Sequence, residues 1–464
     1  MEKSVGRDLS VGDVRSILIS TWIPLLIGTL LTMGYSLINA IWVGQIMGDK
    51  AMSGIAVTMP ILQLVTALSS GVMTATSILI SQFFGANEEG KMKSVVFNTG
   101  VIAVVLCLLV TGGGLLFCDV LLRAMGTPAD VFDITSDYMK IIFISFIFTT
   151  LFSLISSILR GVGDTKKPMV YVLLSTAINA ILDPLLIIGV GPIPKLGLNG
   201  AALASLLASV VVSLLAYLHM RKNFAELLRN LVYKIDFGMI KQILKIGIPT
   251  AIQQILFSIS SIFVVTFVNA FGVPASAAFG AVTRIEQCFV TLPAIAMSMT
   301  LSIITGQNMG AGKTERVKEF FKSGVVITAV YSVAVSLLTI LFAKPILSLF
   351  VNDPAAVEVG IGYFQTVGFA YILIAFTFVA NGIINGSGKA FVTMLLSFVS
   401  ICVLRIPLAG YLDGTELGIQ GIWVALAVSY GVSTILYWVY YFLGKWKSGS
   451  IENGKEVART GQMY

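Results

Sequence analysis

Residues 168–190 read PMVYVLLSTAINAILDPLLIIGV, a stretch that carries one charged side chain, Asp183, and is otherwise apolar or small on every side of a helix. An apolar helix needs about 20 residues to cross the hydrocarbon core of a bilayer, and this stretch is long enough. A membrane barrel strand instead alternates apolar and polar residues over about ten positions. Neither 168–190 nor the similar run 323–343 alternates, so both read as spanning helices.

Working outward, twelve such runs fill the chain, near 17–44, 51–83, 94–117, 139–159, 168–190, 198–220, 243–271, 277–305, 323–343, 363–384, 391–412 and 418–443. With 56% of the 464 residues hydrophobic and 11% charged, a water-soluble globular fold is excluded. The expected class is an all-α membrane protein with twelve transmembrane helices. The first run follows the charged segment from Glu2 to Arg15 and is too long for the apolar part of a cleaved signal, so it is expected to be retained.

Loop charge gives the expected orientation. With the N-terminus inside, cytoplasmic tails and loops hold 23 of the 30 Lys and Arg, including Arg160, Lys166, Lys167 and the cluster from Arg221 through Arg229 to Lys245. Five lie outside, namely Lys50, Arg123, Lys140, Lys195 and Lys344, and two, Arg284 and Arg405, fall within spans. Both termini are therefore expected in the cytoplasm of a multi-pass cell-membrane protein. The net charge of +7 reports this topology and contact with anionic lipid heads, and gives no argument for nucleic acid. Cys107, Cys118, Cys288 and Cys402 show no metal-ligand spacing and are expected to be free thiols, and His219 reads as an interfacial anchor.

A shift of about 225 residues brings Pro24 onto Pro249, Gln82 onto Gln307, Gly85-Ala86 onto Gly310-Ala311, and Gly161-Val-Gly163 onto Gly386-Ser-Gly388. Further on, Leu196-Gly-Leu-Asn-Gly200 matches Leu417-Gly-Ile-Gln-Gly421 at a shift of 221. Six spans per half means that both copies enter the membrane the same way round, a parallel repeat about an axis along the membrane normal. Two six-helix bundles are thus expected in a V around a central cavity that rocking opens to one side at a time. The expected organisation is a cytoplasmic segment 1–16, an N-terminal lobe 17–220, a cytoplasmic linker 221–242, a C-terminal lobe 243–443 and a polar cytoplasmic tail 444–464.

Ionisable groups inside spans are costly and each needs a reason. Asp183 follows Asn179 by four residues, which places carboxylate and amide on one helix face. Pro184 cannot donate to the carbonyl of Ala180, so a backbone oxygen is freed beside the acid and the helix is expected to bend. Carboxylate, amide and carbonyl oxygens suit Na⁺ or a shuttled proton; the bland reading is a wet Asp-Pro at the outer interface. Tyr35 and Asn39 form a second polar pair four apart on the first helix, and Ser205 on the sixth supplies a hydroxyl. Arg284 and Glu286, two apart, face different sides of the eighth helix, with inter-helix ion pairing weighed above substrate contact. Arg405 in the eleventh lies toward the outer end, where snorkelling is the favoured explanation.

At these residues the chain resembles the multidrug and toxic compound extrusion (MATE) transporters. The likeness runs from about 15 to 445 and rests on the order and spacing of several segments. They include Tyr35 to Gly44, Gln82-Phe-Phe-Gly-Ala86, Leu159 to Thr165, Asn179-Ala-Ile-Leu-Asp183-Pro184, Arg284-Ile-Glu286, Gln307 to Ala311 and Gly418 to Trp423. The resemblance implies a two-lobed antiporter exporting organic, often cationic, amphipathic compounds in exchange for H⁺ or Na⁺. It implies a cation site made by Asp183, Asn179, Tyr35 and Ser205, beside Asn39, with the first helix bending near Pro24. Neither a cofactor nor a resident metal is implied beyond Na⁺ at Asp183, and a monomer is expected. The chain reads nearest the DinF-like and archaeal branch, although Asn39 stands where many of those members have an aspartate. The acids that another branch carries on helices 7 and 10 are missing: 243–271 offers Gln253 and Gln254, and 363–384 has no acid.

Two other readings stand beside this one. A lipid-linked precursor flippase of the same superfamily needs several cavity-facing Arg or Lys, and two intramembrane arginines support it thinly. An integral membrane enzyme needs a His, Cys or paired-carboxylate constellation at one depth, which the sequence does not offer.

Overall fold

The computed structural model describes residues 6–189, 194–228 and 234–448; most side chains of 37–53, with those of Glu226 and Leu228, are not described. Arg229, the side chain of Lys50 and the tail from 449 onward therefore lie outside the described residues.

The described residues hold twelve helices long and apolar enough to cross a membrane. In chain order these are α1 (Val14–Ser36), α2 (Gly54–Gly85), α3 (Glu89–Ala124), α4 (Ala129–Gly161), α5 (Lys166–Gly189) and α6 (Leu198–Asn223). The second set is α7 (Phe237–Asn269), α8 (Val273–Gly310), α9 (Thr314–Leu341), α10 (Pro354–Gly386), α11 (Ala390–Asp413) and α12 (Ile419–Phe442). The all-helical class and the span count read from apolar run length are those observed. One detail differs: the backbone stays helical from Val14 to Gly85, so no coil separates α1 from α2, and Pro24 lies within continuous helix.

The chain packs as two compact units, 6–8 with 27–247 and 9–26 with 248–448. Apolar run length starts the first lobe at 17, yet the beginning of α1 belongs to the second unit. The reason is side-chain burial: Leu9, Leu18, Trp22 and Leu25 enter one apolar cluster with Met297, Ile304, Phe320, Ile383 and Tyr441. Polar contacts fix the register, since the Leu9 amide donates to Gln307 Oε1 at 2.8 Å and the Trp22 indole to the Pro293 carbonyl at 3.1 Å.

Several glycines sit where helix backbones approach closely. A Cβ on Gly382 would lie 2.5 Å from the Ser298 carbonyl oxygen, so α8 and α10 meet at glycine contact distance, as small residues allow in membrane bundles. The Leu-Gly-x-x-Gly repeat works the same way twice. Gly197 and Gly418 take left-handed φ values of +58° and +51° to start α6 and α12. Cβ atoms on Gly200 and Gly421 would fall 2.5 Å and 2.6 Å from the carbonyl oxygens of Leu186 and Leu412.

Four spans contain a π-helical turn: Leu108–Gly112, Leu185–Gly189, Gln287–Thr291 and Val399–Arg405. Three of these border Asp183, Glu286 and Arg405. A π turn widens the helix and is frequent at functional sites. After Asp183-Pro184 the turn frees two carbonyls, those of Leu186 and Ile187, which accept from the Leu196 and Gly197 amides at 3.1 Å and 3.3 Å.

Candidate functional sites

In the first unit α5 carries Asn179 and Asp183 one turn apart, both buried, with Asp183 at 0% exposure. The Asn179 amide nitrogen donates to the Ser175 carbonyl at 2.9 Å, which aims its oxygen away from its own helix backbone. That oxygen and both carboxylate oxygens of Asp183 have no hydrogen-bond partner among the described residues. Three acceptor oxygens are thus buried without a donor. A buried polar group without a partner is rare, and a cluster of acceptors alone suits a proton or a cation.

A short hydroxyl chain lies in the same unit. Asn39 Nδ2 donates to the Tyr35 hydroxyl at 3.0 Å, and Tyr35 shares a hydrogen bond of 2.6 Å with Ser205 Oγ. Tyr35 and Tyr138 both lie within electrostatic reach of Asp183. The structure thus brings Tyr35, Asn39 and Ser205 into one chain, and Asn179 and Asp183 into one pair, with no direct hydrogen bond joining the two groups. Tyr138 on α4 has no place among the residues that sequence reasoning selects. A lone tyrosine near a span end carries no signal that separates it from an interfacial anchor.

The second unit separates Arg284 from Glu286. Arg284 is exposed, whereas Glu286 is buried and accepts hydrogen bonds from the hydroxyls of Tyr363 and, at 3.3 Å, Tyr430. Arg405 does not snorkel. It is 8% exposed, donates from Nε to Ser429 Oγ at 2.7 Å and from Nη1 to Ser260 Oγ at 3.5 Å, and lies 4.6 Å from the centre of the Tyr430 ring. The π turn that ends at Arg405 belongs to the stretch of α11 packed on α12, so the guanidinium finds hydroxyls inside the bundle instead of an interface. Ser260, Ser429, Tyr363 and Tyr430 escape sequence reasoning, because hydroxyls in apolar spans are common.

A neutral network escapes it too. Gln253 Nε2 meets Ser397 Oγ at 2.7 Å and Tyr437 Oη at 3.0 Å. Asn381 and Asn385 extend it to Ser298 and Thr393. Every side chain in it is buried, and it ties α7, α8, α10, α11 and α12 together. No cluster of three or more His, Cys, Asp or Glu occurs among the described residues, and none of the four cysteines is joined in a disulfide.

Twelve helices of spanning length in two compact units, with single ionisable side chains buried within the spans, define a polytopic helical membrane protein. The MatE family model matches residues 24–185 and again 249–410, at the spacing of the internal repeat. The chain belongs to the MatE family. It is 30% identical over 90% of its length to the probable multidrug resistance protein YoeA of Bacillus subtilis (strain 168), covering 91% of that protein. It is 28% identical to the probable multidrug resistance protein YpnP of the same strain, over 95% of this chain and 98% of that one. Among solved structures, MATE in the bent conformation superposes with a TM-score of 0.87 at 24% identity, covering 95% of this chain and 97% of that one.

Proposed function

We propose that the protein is a secondary antiporter of the cell membrane, exporting organic, often cationic and amphipathic compounds in exchange for H⁺ or Na⁺. Both termini are cytoplasmic in this reading, the chain works as a monomer, and it lies nearest the DinF-like branch. The observation that carries the reading is Asp183, fully buried in a span with three unpartnered acceptor oxygens at Asp183 and Asn179.

A carboxylate so placed is stable only when neutralised. A proton or Na⁺ taken up there stabilises whichever arrangement of the protein buries the site, and its release favours the other. That differential is what couples ion flow to conformation. The donor set fits Na⁺, a hard cation that prefers oxygen. Asp183 would supply the charge and Asn179 a neutral oxygen, with the Tyr35 and Ser205 hydroxyls near. YoeA and YpnP, named for multidrug resistance, support the choice of organic compounds as cargo.

The test is dye efflux. Protein reconstituted in liposomes is given ethidium, with sodium and pH gradients imposed separately. Efflux driven by one gradient and lost in Asp183→Asn is the expected result. Gradient-driven efflux that persists in that variant removes Asp183 from the mechanism.

A further inference from the structure

The Arg405 guanidinium has five N–H donors. Its hydrogen bonds use two of them, Nε–H to Ser429 and one Nη1–H to Ser260, while the Tyr430 ring covers one face. These contacts fix the plane of the group. They leave both N–H groups of Nη2 and one of Nη1 without a protein acceptor among the described residues, donors enough for a two-pronged contact. No carboxylate is within ion-pair distance either: the described ion pairs are Lys91–Glu88, Lys140–Asp119 and Lys318–Glu315.

Glu286 is the acid in electrostatic reach of Arg405, with no ion pair between them among the described residues. Tyr430 stands between them, its hydroxyl on the carboxylate and its ring on the guanidinium. The hydroxyls of Tyr363 and Tyr430 occupy Glu286, and the Nη2 donors of Arg405 are left without it. Two further buried donors have no partner among the described residues: the Tyr371 hydroxyl, in electrostatic reach of Glu286 and Tyr430, and the Trp423 indole N–H, two turns from Tyr430 on the same face of α12. An indole can only donate, so what this region is short of is an acceptor.

We infer that Arg405, aimed by Ser260 and Ser429, is a docking point for an oxyanion on the exported compound, such as a carboxylate or sulfonate. Planar bidentate pairing is what a guanidinium fork offers and an ammonium does not. The second unit then admits acids and zwitterions as well as cations. This rests on the exporter reading above for the nature of the ligand.

The test uses rhodamine B and its ethyl ester, which share a cationic ring system and differ in whether the carboxylate is free or masked. Binding of each to the purified full-length protein in detergent is followed by fluorescence polarisation. The ratio of acid to ester affinity is expected to fall by about tenfold in Arg405→Gln, the scale of a lost charge-assisted hydrogen bond. Arg405→Lys, which keeps the charge without the fork, is expected to fall in between. An unchanged ratio in Arg405→Gln overturns the inference. Should that variant fail to fold, Arg405→Lys and Ser260→Ala decide in the same way, an unchanged ratio in both overturning it. The ratio is an equilibrium quantity read without any ion gradient, so it fails independently of the Asp183→Asn efflux test.

Discussion

At the scale of single residues, the two units treat their buried acids differently. Among the described residues Asp183 has no hydrogen-bond donor on either oxygen, while Glu286 has Tyr363 and Tyr430. Removing a donor from a buried charge is expensive, so Tyr363→Phe is expected to destabilise the protein by about 1.5–3 kcal/mol, read from unfolding in detergent. No change there would mean that water already supplies the bond. Asn39 donates to Tyr35, and an acid at that position reverses the bond, with the Tyr35 hydroxyl donating instead. Asn39→Asp should therefore fold and should alter the sodium or pH dependence of dye efflux. An unaltered ion dependence in a well-folded protein would leave Asn39 with a packing role.

At the scale of elements, the glycines separate into those pressed against backbone and those facing open space. Gly200→Ala and Gly421→Ala push a methyl group onto the Leu186 and Leu412 carbonyls, and each is expected to lower stability by about 1–3 kcal/mol. A Cβ on Gly280 in α8 would meet nothing within 4 Å, so Gly280→Ala gains helix propensity, at most about 1 kcal/mol, in the opposite direction. Thermal midpoints in detergent check both, and equal shifts of one sign would show that backbone approach is not what selects glycine. The π turns belong to the same scale. Three of them border a buried ionisable residue, and no residue spacing announces where they fall.

For the molecule as a whole, the loop charges predict which ends face the cytoplasm. In a cysteine-free background, Lys166→Cys should react with a membrane-impermeant maleimide from inside and Lys344→Cys from outside, both positions being exposed. Labelling of both from one side would overturn the orientation. The class, the span count and the internal repeat were legible in the chain, because a bilayer imposes a minimum apolar length and a repeat leaves its register in Pro24 and Pro249, Gln82 and Gln307. That Asn179 and Asp183 share one face of α5 was legible too, being fixed by one helical turn. The partners of Arg405 and Glu286 were not. Ser260, Tyr363, Ser429 and Tyr430 come from three other helices, and helix spacing says nothing about which faces meet. Nor could run length reveal that Leu9 to Leu26 pack with the second unit, since an apolar face shows that it will be buried and not against what. Sequence by itself therefore determined what must lie in the bilayer and which groups are costly there. Tertiary packing alone decided which of those groups acquired donors, which kept an open valence, and which neighbour each apolar face would cover, because those outcomes depend on distances between segments far apart in the chain.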